Sequence, residues 1–335
     1  MRAIELKAPG FAGLEQVELP QPKPAADEIL IRLRAASINF RDIAVVMGRY
    51  KAKLPLIPLS DGVGIIVEVG ADVTTLKAGQ RVCPVFAPGW ISGPPTESSQ
   101  AKALGGGSDG VLREFMTLKA ADAVPVPHHL TEEEAACLPC AGVTAWSAVI
   151  DFGHVKPGDI VLVEGTGGVS LFALQFAKAA GAQVAIISSS DEKLELARAM
   201  GADFTVNYKS RPEWGVEVRK LTGGRGVDLV VEVVGAQTLA EALIALRHGG
   251  RIAQIGLLSG VAAQLPLQHF LPKAACIQAI LVGSRAAFEA MARAVELHGM
   301  RPKVHQVYPF SDARTAIETF TGTSHFGKVA IRISD

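Results

Sequence analysis

The chain has 335 residues, 49% of them hydrophobic and 20% charged, with Lys+Arg and Asp+Glu balanced at 33 each. That length suits two domains, and the zero formal charge gives no reason to expect nucleic acid or an anionic membrane as a partner. Four cysteines make no disulfide framework, no apolar run approaches the ~20 residues of a membrane span, and MRAIELKAPG carries Glu5 and Lys7 inside its only apolar patch, unlike a signal peptide; a reduced, cytoplasmic setting is expected.

Residues 1–123 read as β-rich. The stretch 29–34 alternates like a half-exposed strand, 62–70 is a second strand with glycines where a small barrel bends, and 81–86 is a third. Between Ala87 and Gly110 the pattern gives way to Gly, Pro and Ser, and a loop of that length is functional or disordered. Trp90, its one large side chain, either tethers the loop or walls a substrate pocket.

From residue 124 the texture changes to alternating helix and strand. Thr131 is an N-cap followed by the acidic first turn Glu132, Glu133 and Glu134. Apolar strand-like runs follow at 160–163, 184–187, 204–206, 229–234, 252–255 and 277–282, with helical segments between them. Six such strands predict a doubly wound parallel sheet. After Ser284 a helix over 286–297 leads to strands at 304–308 and 328–333, which rejoin the first domain. The expected division is therefore 1–123 with 285–335, and 124–284.

The most informative stretch runs from Asp159 to Lys193. A both-face-buried strand ends at Glu164, the glycine turn Gly165-Thr166-Gly167-Gly168-Val169 follows, and a helix stops at Gly181 before the second strand. Gly165 permits the turn off the strand and Gly167 lets the backbone approach a pyrophosphate at the helix N-terminus. The full fingerprint would place a glycine at Ser170. The alternative is a tight strand-to-helix turn with no ligand.

Together with Gly70-Ala71-Asp72-Val73, the run from Leu76 to Val82 (LKAGQRV) and Cys140-Ala141-Gly142-Val143-Thr144-Ala145, this turn resembles the medium-chain dehydrogenase/reductase superfamily over nearly the whole chain. The resemblance implies an α/β protein: a Rossmann doubly wound six-stranded parallel sheet plus a GroES-like, β-barrel-type catalytic domain, with the substrate cleft between them. It implies a nicotinamide cofactor, with further contacts at Thr144, Val234, Gly256, Leu257, Val282, Gly283, Ser284 and His325. It also implies a homodimer paired through the sixth Rossmann strand.

The superfamily divides on zinc. Similarity to its zinc alcohol dehydrogenases would place a cysteine where Asn39 stands and a His-Glu pair where Ser60-Asp61 stands; only Cys140 keeps its ligand type. The four clustered cysteines of a structural zinc are missing from residues 87–110. A zinc-free member is expected, with no metal bound. Cys137 and Cys140 form a CxxC, read as small buried hydrophobes rather than a redox pair.

The second dinucleotide strand ends in Ser188-Ser189-Ser190, where an NAD site wants an acid for the ribose hydroxyls. Hydroxyls there, Lys193 and Tyr208 resemble the NADPH-dependent quinone oxidoreductases, so NADP(H) is expected. The alternative gives Ser190 only an N-cap role and Lys193 a solvated charge.

Without zinc, another group must polarise the acceptor and supply a proton. The zinc-free quinone and enoyl reductases show a similar Asn-x-x-Asp and Gly-x-Tyr, here Asn39, Asp42 and Tyr50, with Tyr50 falling on the proposed proton donor of the enoyl-thioester reductases. Ser60 and Asp61 complete the candidate set. Tyr50 as a packing residue, and Asn39 and Asp42 as loop-fixing hydrogen bonders, are the structural alternatives. His128 and His129 read as solvated. The expected activity is zinc-independent, NADP(H)-dependent hydride transfer to a small carbonyl, quinone or enone. The alternatives are metal-free alcohol dehydrogenase-like carbonyl/alcohol interconversion and, from another class, a non-catalytic NADPH-binding protein of crystallin or sensor type.

Overall fold

The protein is described here by a computed structural model covering residues 1–260, 262–321 and 325–334. It divides into two compact units, Met1–Val143 with Gly283–Asp335, and Thr144–Val282.

In the first unit, β1 (Arg2–Leu6) and β2 (Leu14–Glu18) pair antiparallel as a two-stranded sheet. Next come β3 (Glu28–Ser37), β4 (Asp61–Val69), β5 (Arg81–Pro84), β6 (Phe115–Lys119) and β7 (Ala123–Pro125). β3 is the central strand, pairing antiparallel with both β4 and β6. β4 approaches it so closely that a Cβ on Gly64 would lie 2.4 Å from the Arg32 carbonyl oxygen. A helix, Phe40–Val46, sits between β3 and β4 and buries Ile43, Ala44, Val45 and Val46.

The second unit holds β8 (Ile160–Glu164), β9 (Gln183–Ser188), β10 (Phe204–Asn207), β11 (Val227–Glu232), β12 (Leu246–Gln254) and β13 (Cys276–Ala279). All pairings are parallel, in the order β10-β9-β8-β11-β12-β13. That is the doubly wound order 3-2-1-4-5-6 of a dinucleotide-binding sheet. β8 and β11 are buried at every position, as apolar strands covered on both faces must be. The helix Gly168–Ala179 packs Leu171, Phe172, Leu174 and Phe176 inward and ends where Gly181 takes φ 82°. β13 stops at Ala279 rather than running to 282: Val282 takes φ 47°, incompatible with extended strand.

The tail then returns as the helix Arg285–Leu297, β14 (Val304–Pro309) and β15 (Lys328–Arg332). β15 pairs antiparallel with β3, which gives the first unit a seven-stranded sheet of order β14-β15-β3-β4-β5-β7, with β6 on β3. The first boundary falls after Val143, not at 124. β7 pairs with β5, and the helix Glu132–Ala135, N-capped by Thr131, lies against β3 and β4, so 124–143 belong to the first unit. Among the described residues no helix is long and apolar enough to cross a membrane.

Candidate active site

The glycine turn after β8 has the geometry of an anion cradle. Gly165 takes φ 69°, and a Cβ added at Gly165 or at the N-cap Gly167 would meet nothing within 4 Å. The turn therefore opens onto space at a helix N-terminus, where free N–H groups favour an anion. Ser170, standing where the fingerprint has glycine, is 2% exposed and its hydroxyl donates to the Glu164 carbonyl oxygen at 2.7 Å. The departure from the motif is thus absorbed by a hydrogen bond that ties helix to strand.

At the end of β9 the three serines differ. Ser188 is buried, and its hydroxyl is the acceptor for the Ser190 N–H at 3.4 Å. Ser190 caps the helix Asp191–Ala199, accepting from the Lys193 N–H at 3.3 Å. Ser189 is half-buried and spends its hydroxyl on neither bond. Asp191 lies in the first helical turn and accepts from the Asn207 amide at 2.8 Å. Burial lowers the pKa of Lys193. Tyr208 follows β10 and is 40% exposed, its N–H donating to the Ser188 carbonyl.

The other expected cofactor positions fall in both units. Thr144 is buried and Val234 lies in the loop after β11. Gly256 is required by close approach, since its Cβ would overlap the Val233 carbonyl oxygen at 1.6 Å. Leu257 is half-exposed. Val282 closes the second unit; Gly283, Ser284 and His325 belong to the first. Ser284 caps the helix Arg285–Leu297, and the His325 ring stacks on Phe320 with centroids 4.7 Å apart.

In the first unit, four of the five candidate catalytic residues come together. Asn39 precedes the helix Phe40–Val46, Asp42 is in its first turn, and Ser60 and Asp61 lead into β4. The Asp42 carboxylate accepts the Asn39 N–H at 2.8 Å, which fixes the helix start. The Ser60 hydroxyl donates to Asp61 Oδ1 at 2.7 Å and the Cys140 N–H to Asp61 Oδ2 at 3.1 Å. Asp42, Ser60 and Asp61 are fully buried and Asn39 is 8% exposed. Burial pushes Asp42 up to about 6, against the pull of Arg41, and raises Asp61 against the pull of Lys328.

Lys328 was not among the residues singled out from sequence. It is 3% exposed, and its ammonium donates to the Ile38 carbonyl at 2.7 Å and to Asn39 Oδ1 at 2.5 Å. Asn39 Nδ2 is buried, and the Asn39 amide pulls the Asp61 pKa down as a donor. The signal that finds Lys328 is register: Ala330 pairs with Ser37, so two residues back along β15 lies opposite two residues on from Ser37.

Tyr50 stands apart. It is 54% exposed, and none of the cluster's hydrogen bonds reaches it. Trp90 is a tether: its indole N–H donates to the Gly93 carbonyl, its own carbonyl accepts from the Arg285 N–H, and the side chain is 7% exposed. Arg41 also anchors this loop, donating to the Leu104 carbonyl at 2.8 Å with its guanidinium over the Phe86 ring. Cys137 and Cys140 are free thiols; burial pushes Cys137 up to about 12 and raises Cys140, so neither is a thiolate at neutral pH. His128 is exposed as expected, but His129 is half-buried with Nε2 2.8 Å from the Met300 carbonyl oxygen.

Residues 25–128 match the alcohol dehydrogenase GroES-like domain and residues 168–296 match the zinc-binding dehydrogenase domain. A zinc-type alcohol dehydrogenase-like protein of Schizosaccharomyces pombe is 42% identical over 95% of this chain and 94% of its own length. Among solved structures, an NAD-dependent alcohol dehydrogenase superposes with a TM-score of 0.91 at 35% identity, covering all of both chains. A mycobacterial protein complexed with NADPH gives 0.83 at 29% identity, covering 99% of this chain and all of that one.

Proposed function

The chain belongs to the medium-chain dehydrogenase/reductase superfamily and is an alcohol dehydrogenase-like oxidoreductase, and within that family we propose a zinc-independent, NADP(H)-dependent reductase acting on a small carbonyl, quinone or enone. The observation that carries the proposal is the Lys328 ammonium, buried among residues that the resemblance assigns to a metal site. Asn39 Oδ1 is occupied by that ammonium and both Asp61 oxygens accept other donors, which leaves Cys140 as the one ligand of zinc-binding type. A zinc ion needs deprotonated or lone-pair donors around an open position, and a fixed cation held on Asn39 repels it. The residues present do not fit zinc.

The solved relatives divide between NAD and NADPH in what they bind, so the cofactor reading rests on this chain's own residues. The half-buried Ser189 and Ser190 hydroxyls after β9 and Lys193 beyond them suit a 2′-phosphate, which a carboxylate there would repel. The bound nicotinamide supplies the hydride. The open glycine turn and the N-terminus of the helix Gly168–Ala179 hold the pyrophosphate.

Exposure separates the catalytic candidates. A group must reach surface to touch a substrate, and Asp42, Ser60 and Asp61 have none. They act as scaffold for the Asn39 segment, while the exposed Tyr50 phenol is the proton donor. A phenol O–H can give its proton once hydride has arrived.

The test is oxidation of NADPH, with NADH in parallel, against a panel of quinones, enones and aldehydes, on protein whose metal content is measured. Turnover by metal-free protein with a preference for NADPH is expected. One zinc per chain overturns the zinc-free reading, and tight NADPH binding without turnover favours a non-catalytic binding protein.

A further inference from the structure

Two wholly buried carboxyl groups lie side by side in the core of the second unit, and no part of the proposed chemistry uses them. Glu164 is the last residue of β8 and Glu232 the last of β11. The register pairs Val163 with Val231, so the next residue on each strand stands beside the other and points to the same face. Both are 0% exposed.

Their oxygens are treated unequally. Glu232 Oε1 accepts from the Val234 N–H at 2.8 Å, the Gly235 N–H at 2.7 Å and the Thr238 hydroxyl at 2.9 Å. Glu232 Oε2 and both oxygens of Glu164 make no hydrogen bond of normal geometry, although the Val233 and Val234 N–H groups pull the Glu164 pKa down weakly. Three donors thus converge on Glu232 Oε1, whereas the pull of the Val233 and Val234 N–H groups on Glu164 is outweighed by burial and by Glu232 beside it. On the helix Gly168–Ala179 the buried Ser170 hydroxyl is spent on the Glu164 carbonyl oxygen. Among the described residues no lysine, arginine or histidine is paired with either carboxyl. Two like charges in contact in a dry core do not both ionise; one proton held between them satisfies two of the three orphaned oxygens.

We infer that Glu164 and Glu232 share one proton in the working protein and that this proton ties the glycine turn to the loop after β11, making the two carboxyls positioning residues for the dinucleotide. The turn begins at Gly165, next to Glu164, and the loop Val234–Gly235 hangs on Glu232 Oε1. The positioning role rests on reading Gly165–Gly168 as a dinucleotide turn; the shared proton does not.

The sign of the pH dependence follows. Burial pushes the Glu164 carboxyl well above its usual range, and the charge of Glu232 pushes the same way. An acid whose pKa is raised by folding binds its proton more tightly in the folded state. Its effect on stability is nil below the unfolded pKa, ~4.3, and becomes a growing cost as pH rises from there toward the folded value. Glu164→Gln keeps a donor for Glu232 Oε2 but cannot titrate, so it removes that cost.

The experiment is thermal melting of the cofactor-free protein from about pH 5 to about pH 9, wild type against Glu164→Gln, with NADPH titrations over the same range. The two melting curves are expected to meet near pH 5 and to diverge with rising pH, the variant gaining several degrees by about pH 9. Wild-type NADPH affinity is expected to fall at least about threefold over that range beyond any change in the variant. Glu164→Leu, which has neither proton nor donor, is expected to bind NADPH more weakly than Glu164→Gln at every pH. Parallel melting curves for wild type and Glu164→Gln overturn the shared proton. Divergent melting with equal affinities for all three proteins overturns the positioning role. If no dinucleotide binds to any of them, the cofactor reading and the positioning role fall together, and the melting arm still decides the proton.

Discussion

The Lys328 ammonium donates to Asn39 Oδ1 at 2.5 Å, joining the first residue of β15 to the residue that starts the helix Phe40–Val46. The contact spans 289 positions of sequence and buries a cation where its charge counters the burial of Asp61. A buried cation without its counter-charge is costly, and the reverse holds for the carboxylate.

The first prediction tests that dependence. Lys328→Met leaves Asp61 in a dry pocket with less compensation and should lower unfolding stability by about 3 kcal/mol or more. Asp61→Asn leaves the ammonium short of an anion and should also destabilise. The double variant should be less damaged than the two losses added together, by at least about 1 kcal/mol, because the residues share one electrostatic environment. Denaturant unfolding of all four proteins measures the cycle, and strict additivity would show that Lys328 and Asp61 are energetically independent.

The cofactor prediction turns on Ser189, the serine at the end of β9 whose hydroxyl is engaged in neither of the backbone bonds of its neighbours. Ser189→Asp places a carboxylate where the 2′-phosphate is proposed, removing a hydrogen bond and adding like-charge repulsion. NADPH affinity should fall more than about tenfold, a free-energy change of about 1.4 kcal/mol, with NADH nearly unchanged. Equal losses for both cofactors would defeat the assignment.

How much of this was legible in sequence depends on how local the cause is. The strands of the second unit could be read because apolar β-branched runs such as Ile160–Glu164 are covered on both faces, and the glycine turn because its φ demands are met by the residues themselves. The boundary at 124 was misplaced because the three-residue β7 joins the first sheet by pairing with β5, which no local pattern announces. A lysine at a strand start reads as solvated, so no local pattern singles out Lys328. Only the antiparallel register of β15 on β3 carries it into the core beside Asn39. The Glu164–Glu232 pair is hidden for the same reason: each carboxyl alone resembles a strand-end residue, and the lateral register of β8 and β11 makes them neighbours.

Assembly is the third prediction. β13 hydrogen-bonds β12 on one side, and its residues Cys276, Gln278 and Ala279 are exposed, with Leu267, Leu271 and Leu281 exposed nearby in sequence. An open apolar strand edge pairs readily with another copy of itself, and we propose a homodimer through this edge. The Ile280 N–H donates inward to Gln254, so by strand alternation the Ala279 N–H points to the open side. Ala279→Pro removes that donor and should shift light scattering at micromolar concentration from dimer to monomer. A wild-type monomer under those conditions refutes the contact.

The last prediction concerns Tyr50. Its phenol is 54% exposed and free of the buried cluster, so Tyr50→Phe should leave stability within about 0.5 kcal/mol of wild type. Loss of a positioned general acid costs about 10²–10⁴ in rate when the proton has no other source. With an enone, hydride adds to one carbon and the proton must reach its partner carbon, so kcat should fall at least about tenfold, with NADPH affinity unchanged. With a quinone the reduced oxygen takes its proton from water, and the loss should be smaller. Both substrates must be measured on the same preparation, because the ratio of the two losses isolates proton delivery from any general disturbance of the site. If enone kcat stays within about twofold, Tyr50 delivers no proton in the rate-limiting step. The role then passes to a bound water.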